Sequence, residues 1–330
     1  MSTRRKKTRL PRPVVTAENL RDWAIQLPND GPFSDPVRRL VPLAQLVITK
    51  IMGQDWAARH LRHGAPYSKW LLFPITDTAT FALRQYRFIH FAEVLYELQS
   101  QPETEFRLRQ MINDKVADFF FELEVAWWLQ RNGAIVALRG EHAVPRYDAD
   151  VLLNGTFRIA AEIKCKREDG PFSSQRIRNG LLKARDVQLP WDDRLSMVVV
   201  QLPTEWTAMN VSVPEAIRES VYSVFGCERR PWAVLFYWVT WQPSGHPLGR
   251  AMYNHSLIAH NLDSVAASAL NSLLSELNVL EEKDYWMLDL VRAPRASNGE
   301  VDLARKRAPV EAIATQLIYF SAWQMPEQSG

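Results

Sequence analysis

A chain of 330 residues, 47% hydrophobic and 23% charged, is long enough for one large folded domain or two modest ones, and this composition excludes a disordered or fibrous protein. Two cysteines, Cys165 and Cys227, exclude a disulfide framework and a four-ligand zinc site of cysteines, which suits a reducing compartment. The net charge of +3 is uneven: residues 1–12 hold six Lys and Arg and no acid, and removing those six from the 40 leaves 34 against 37 Asp and Glu.

Residues 1–13 therefore read as a basic disordered tail, open to a phosphate-binding role or to a solubilising or targeting one. The stretch that follows, PVVTAENLRDWAIQL, mixes charges into its apolar residues and gives no secretory signal. The longest apolar run, Trp232 to Val239, is under half a membrane span and reads as a buried strand. The expectation is a soluble, cytoplasmic chain without a membrane partner.

Residues 14–101 read as a helical N-terminal region. Val37 to Leu61 carries apolar residues at helical spacing, and so does Phe81 to Leu98, which stops before Ser100-Gln101-Pro102. Pro102 opens a further helical run, with a break near Asn113-Asp114, that ends at Asn132-Gly133, glycine being the expected terminator. From Ala134 the period changes. AIVAL is a short strand, DVLL a second, and a turn at Asn154-Gly155 leads into FRIAAEIKCK, the return strand of a hairpin. Ser173 to Gln188 is a basic amphipathic helix, MVVVQL a buried strand, Pro214 to Phe225 a helix and AVLFYWVTW a second buried strand. A mainly helical region spans Leu262 to Leu280, and two short apolar stretches, 285–291 and 316–322, have no clear type. Residues 102–330 thus form an α/β domain with a central mixed sheet flanked by helices and a C-terminal elaboration.

Acidic and basic residues of one chemical kind gather between 122 and 164. On a period-two strand, Arg158, Ala160, Glu162, Lys164 and Lys166 share one face of FRIAAEIKCK, and the opposite face is apolar. The hairpin partner brings Asp150 to the same end, and two converging carboxylates are hard oxygen ligands for magnesium or manganese. Asp148, two residues earlier, has the same parity and is a rival; Asp150, which adjoins the apolar run, is preferred. Glu122 lies among Phe119, Val125, Ala126 and Leu129 on a helix and needs a partner, which a core arginine could also supply, making it structural. Between Arg139 and Arg185 ten bases face six acids, a basic zone within an otherwise acidic body.

The stretch Phe121 to Lys166 resembles the PD-(D/E)XK nuclease superfamily, of restriction-endonuclease-like fold: a helical glutamate, a glycine ending that helix, a strand, an aspartate opening an apolar strand, then an apolar strand ending in E-x-K. Eleven residues separate Glu122 from Gly133, a spacing similar to that of archaeal Holliday-junction resolvases, which favours Glu122 over Glu124. The likeness could extend through the 173–188 helix to the MVVVQL strand, and Ala149 stands where many members have proline. The resemblance implies a magnesium-dependent deoxyribonuclease, with manganese able to substitute and DNA favoured over RNA. It implies Asp150 and Glu162 as metal ligands, joined by the Ile163 carbonyl, with Lys164 as the catalytic lysine and Glu122 supporting the metal through water. Lys166, Arg167, Gln175, Arg176, Arg178 and Lys183 would meet the nucleic acid, and the N-terminal helices could serve a homodimer or a partner protein. A catalytically inactive nucleic-acid-binding module and a structural or interaction protein are the alternatives. His60, His63 and His142 are expected to be surface or loop residues without a role. Cys165 and Trp127-Trp128 are expected in the core.

Overall fold

The computed structural model describes residues 14–28, 30–31, 35–61, 71, 78–101, 103–111, 116–140, 146–155, 157–165, 172–190, 194–203, 215–242, 250–275, 279–280 and 286–292. The basic tail, the break at Asn113-Asp114, His63, His142, Lys166, Arg167 and the 316–322 stretch lie outside them.

The N-terminal part is helical: α1 (Ala17–Gln26), α2 (Pro36–Met52), α3 (Gln54–His60), α4 (Thr78–Leu98) and α5 (Thr104–Gln110). Thr16 caps α1 with a capping box, and Gly53, at φ 93°, separates α2 from α3 where the sequence reads as one helix. Helix α6 (Val116–Arg131) ends at Gly133 in a Schellman turn: Gly133 N–H donates to Gln130 O and Ala134 N–H to Leu129 O, with Gly133 at φ 84°.

Strands β1 (Ile135–Leu138), β2 (Ala149–Leu153) and β3 (Phe157–Cys165) follow as an antiparallel meander. Asn154 and Gly155 turn β2 into β3 at φ 50° and 71°, backbone that these two residues tolerate best. Helix α7 (Ser174–Lys183), continued by a π-turn at Ala184–Gln188, carries the chain over to β4 (Leu195–Gln201), parallel to β3. Helix α8 (Glu215–Phe225) does the same for β5 (Trp232–Gln242), parallel to β4. Antiparallel β6 (Arg250–His260), α9 (Ser264–Ser275), the two-residue β7 (Val279–Leu280) and α10 (Trp286–Arg292) complete the order. The described residues thus form one mixed sheet in sequential order, β1 to β7, flanked by helices.

Strand β6 is the element that the sequence pattern does not give. Asn254, His255 and Ser256 interrupt its apolar residues, and it is a strand because all eleven of its residues pair with β5. The 285–291 stretch, without a type in the pattern, is α10.

One face of the sheet, with Val136, Val151, Ile159, Ala161, Ile163, Val199 and Tyr237, shares a continuous core with α2, α4, α6 and α10. The N-terminal helices and the sheet therefore have no break in their packing. Trp127 and Trp128 are fully buried in this core, and each side chain contributes about 3 kcal/mol relative to an exposed one. The other face, with Ala160, Val198, Val200, Val234 and Phe236, packs against α7 and α8. His60 corrects the expectation of a surface residue: it is fully buried and stacks on Trp56, ring centroids 4.3 Å apart. Cys165 packs against the first core, its thiol donating to Gln201 Oε1.

Candidate active site

The chemistry gathers at the C-terminal end of β3. Alternation puts Ala160, Glu162 and Lys164 on the α7 face. Glu162 is 1% exposed, and Lys164 Nζ donates to its Oε1. The same ammonium donates to Gln188 Oε1 at 2.8 Å, so the π-turn after α7 fixes the lysine from above.

Asp148, and not Asp150, stands beside Glu162. The β2–β3 ladder ends at the pair Ala149–Ala161, with Asp148 N–H still donating to Ala161 O. The next β3 amide that points this way, Ile163 N–H, donates to Asp148 Oδ2 at 2.7 Å. The carboxylate side chain stands in for the missing rung, and this ties it to the strand that carries Glu162. Asp150 opposes Ala160 in register and is taken up elsewhere: by Arg139 Nη1 at 2.9 Å, by the Tyr147 hydroxyl at 2.7 Å and by Arg194 Nη1 at 3.6 Å. Of the two rivals the structure thus sets Asp148 beside Glu162, whereas the preferred Asp150 is paired with arginines on a neighbouring patch. Ile163 joins the group through its amide.

Glu122 approaches from α6. Arg107, on α5 and 2% exposed, donates from Nε to Glu122 Oε2 at 3.1 Å, from Nη1 to Arg139 O and from Nη2 to Asp148 O at 3.2 Å. One buried guanidinium thus clamps the helix glutamate to the end of β1 and the start of β2. This is the core arginine whose presence favours a structural role for Glu122, yet it holds the Asp148 backbone as well. Glu124, two residues on, faces the helical layer, where it meets His90 Nε2 at 2.9 Å.

The three carboxyls perturb one another. Burial, then the Asp148 charge, pushes Glu162 up from 4.5 to about 8 against the pull of Lys164. Burial and Asp148 also push Glu122 up to about 8, with Arg107 opposing. Burial raises Asp148 above the ordinary carboxylate range, offset by the Ile163 amide, Lys164 and Arg107. A hard divalent cation fits this set. The donors are oxygens, Asp148 and Glu162 adjoin, and the buried Glu162 Oε2 receives no hydrogen bond. Two carboxylates suffice for a cation that keeps several waters, and among the described residues no third His, Cys, Asp or Glu completes a protein cage.

Of the expected nucleic-acid contacts, Gln175 is exposed and bonded to Asn179, Arg176 and Lys183 are exposed, and Arg178 Nε donates to Ser223 Oγ on α8. Sequence reasoning missed Arg107, Gln188 and Arg194. None carries a motif signal; each reaches the site through tertiary folding alone. Among the described residues no helix is long and apolar enough to cross a membrane. Searches of protein-family models, curated proteins and solved structures found no match.

Proposed function

We propose that this chain is a divalent-cation-dependent nuclease that hydrolyses phosphodiester bonds in DNA. The observation that carries the reading is the meeting of Asp148, Glu162 and Lys164 at one end of β3, beside a helix-borne glutamate, with a buried carboxylate oxygen that lacks any donor. The order of elements, α6-β1-β2-β3-α7-β4, agrees with the PD-(D/E)XK resemblance read from the sequence, with Asp148 in the aspartate's place.

Asp148 and Glu162 would hold the cation, magnesium or manganese, which when bound lowers the pKa of a water and neutralises phosphoryl oxygens. Lys164, held between Glu162 and Gln188, presents a positive charge to the attacked phosphate and stabilises the charge developing there. Glu122, raised by burial and by the Asp148 charge, would support the cation through water. Arg107 keeps Glu122 and the Asp148 backbone in place.

A non-catalytic role for the same fold is favoured by one observation: Glu122 and Lys164 both have protein partners already. The test is cleavage of supercoiled plasmid, linear duplex and single-stranded DNA in Mg2+, Mn2+ or EDTA by the wild type, Asp148→Asn and Lys164→Ala. The expected result is metal-dependent cleavage lost in both variants. Cleavage that persists in Asp148→Asn and disappears in Asp150→Asn would restore Asp150 as the ligand.

A further inference from the structure

Beside the acid pair lies a second polar group that the reading above does not use. Asp150 opposes Ala160, two residues before Glu162 on the same face of β3, so the two carboxyls stand roughly 7 Å apart along the strand. Two guanidinium groups converge on Asp150, from Arg139 after β1 and Arg194 before β4. The Tyr147 hydroxyl joins all three: it donates to Asp150 Oδ1 and accepts from Arg139 Nη1 at 2.9 Å and Arg194 Nη1 at 3.1 Å. Arg139 also lies over the Tyr147 ring, 4.2 Å from its centroid.

Two features point to an anion as ligand. The four side chains sum to +1, with two arginine forks aimed at a single pair of carboxylate oxygens. The Arg194 pairing is long, at 3.6 Å, and its side chain is 34% exposed, so its fork is reachable from outside. The position decides which anion: a polyanion lying across the acid pair would bring its next phosphates along this face of the sheet.

We propose that Arg139, Tyr147 and Arg194 form a subsite for a backbone phosphate of the substrate next to the scissile one, with Asp150 as a built-in competitor that the phosphate displaces from Arg194. The nature of this ligand rests on the nuclease reading; the geometry of the subsite does not.

The test is fluorescence anisotropy with a labelled DNA duplex in EDTA, where binding is read without cleavage, across a salt series. Arg194→Gln should weaken binding about five- to tenfold and reduce the salt slope by about 0.9. Asp150→Asn should act in the opposite sense and tighten binding about threefold or more, because the internal competitor has lost its charge. Arg194→Lys should keep the salt slope and recover only part of the affinity, and it decides the matter if Asp150→Asn does not fold. Wild-type affinity and slope in Arg194→Gln, weaker binding in Asp150→Asn, or no DNA binding by the wild type would each overturn the subsite. Cleavage in Mg2+ by the wild type and Glu162→Gln is measured in parallel. Opposite binding shifts without any cleavage keep the subsite and remove the nuclease reading. Glu162-dependent cleavage with unchanged binding in Arg194→Gln does the reverse.

Discussion

Glu162→Gln should make the cation-free protein more stable at neutral and alkaline pH. In the fold Glu162 is raised to about 8 by burial and by Asp148, whereas the unfolded chain releases its proton near 4.5. A raised carboxyl contributes its full stability below the unfolded value and loses it as pH climbs toward the folded one. At pH 7 this amounts to about 1.4 kcal/mol for each pH unit above 4.5, a ceiling of about 3 kcal/mol. Glutamine keeps the shape and an acceptor for Lys164 but fits the carboxyl's hydrogen bonds less well, which offsets about 1 kcal/mol. The net gain is about 2 kcal/mol, or about 3 °C in melting temperature, near pH 7, falling to about zero at pH 5. Asp148, Glu162 and Glu122 titrate as a group, so the midpoint of the effect belongs to all three. The assay is calorimetry of both proteins in EDTA from pH 5 to 9, repeated in Mg2+. The gap in EDTA should widen with pH, and Mg2+ should stabilise the wild type alone. A variant less stable than wild type at pH 8 in EDTA would refute the reasoning, because Glu162 would then be an ionised partner of Lys164 with a net favourable pair.

Arg107→Gln should lower stability by about 3 kcal/mol or more in urea melts, because it strands the Glu122 carboxyl and two carbonyls in the interior; a loss under 1 kcal/mol would deny the clamp its role. Gly155→Ala should cost about 1 kcal/mol, read from the urea midpoint, because alanine resists the φ of 71° that the β2–β3 turn requires. Gln188→Ala should slow single-turnover cleavage about tenfold while stability changes by less than about 1 kcal/mol, since it frees Lys164 from one of its two anchors.

Much of the fold was legible because period and punctuation agreed. The helical run ending at Gly133, the hairpin through Asn154-Gly155 and the buried strands 195–201 and 232–242 each combine a clear period with a suitable terminator. Strand β6 was not legible, because Asn254, His255 and Ser256 break its pattern and only its pairing with β5 makes it a strand. His60 was misread although part of its setting is local: Trp56 lies four residues earlier on the same helix. The stack on Trp56 is thus an i,i+4 contact, and what the pattern did not show is that this face of the helix is buried in the helical layer.

The choice between Asp148 and Asp150 shows where sequence logic reaches its limit. Parity cannot separate two acids that lie two apart, and adjacency to the apolar run favours Asp150, whereas the fold sets Asp148 beside Glu162. Asp150 lies within the ladder, with Arg139 and Arg194 close by, so it is neutralised. Asp148 lies one step outside, at a bend, where the backbone no longer serves the Ile163 amide and a side-chain oxygen can. That single hydrogen bond sets a second carboxyl beside Glu162; burial raises both, and the Asp148 charge raises Glu162 further, a cost that two arginines like those around Asp150 would have removed. Here Lys164 and Arg107 answer three acids, Lys164 bonding Glu162 and Arg107 bonding Glu122, and Glu162 Oε2 receives no hydrogen bond. Where pH rises far enough to strip their protons, these carboxyls become buried negative charge that is destabilising for the chain alone, and a divalent cation bound there would take the place of the protons.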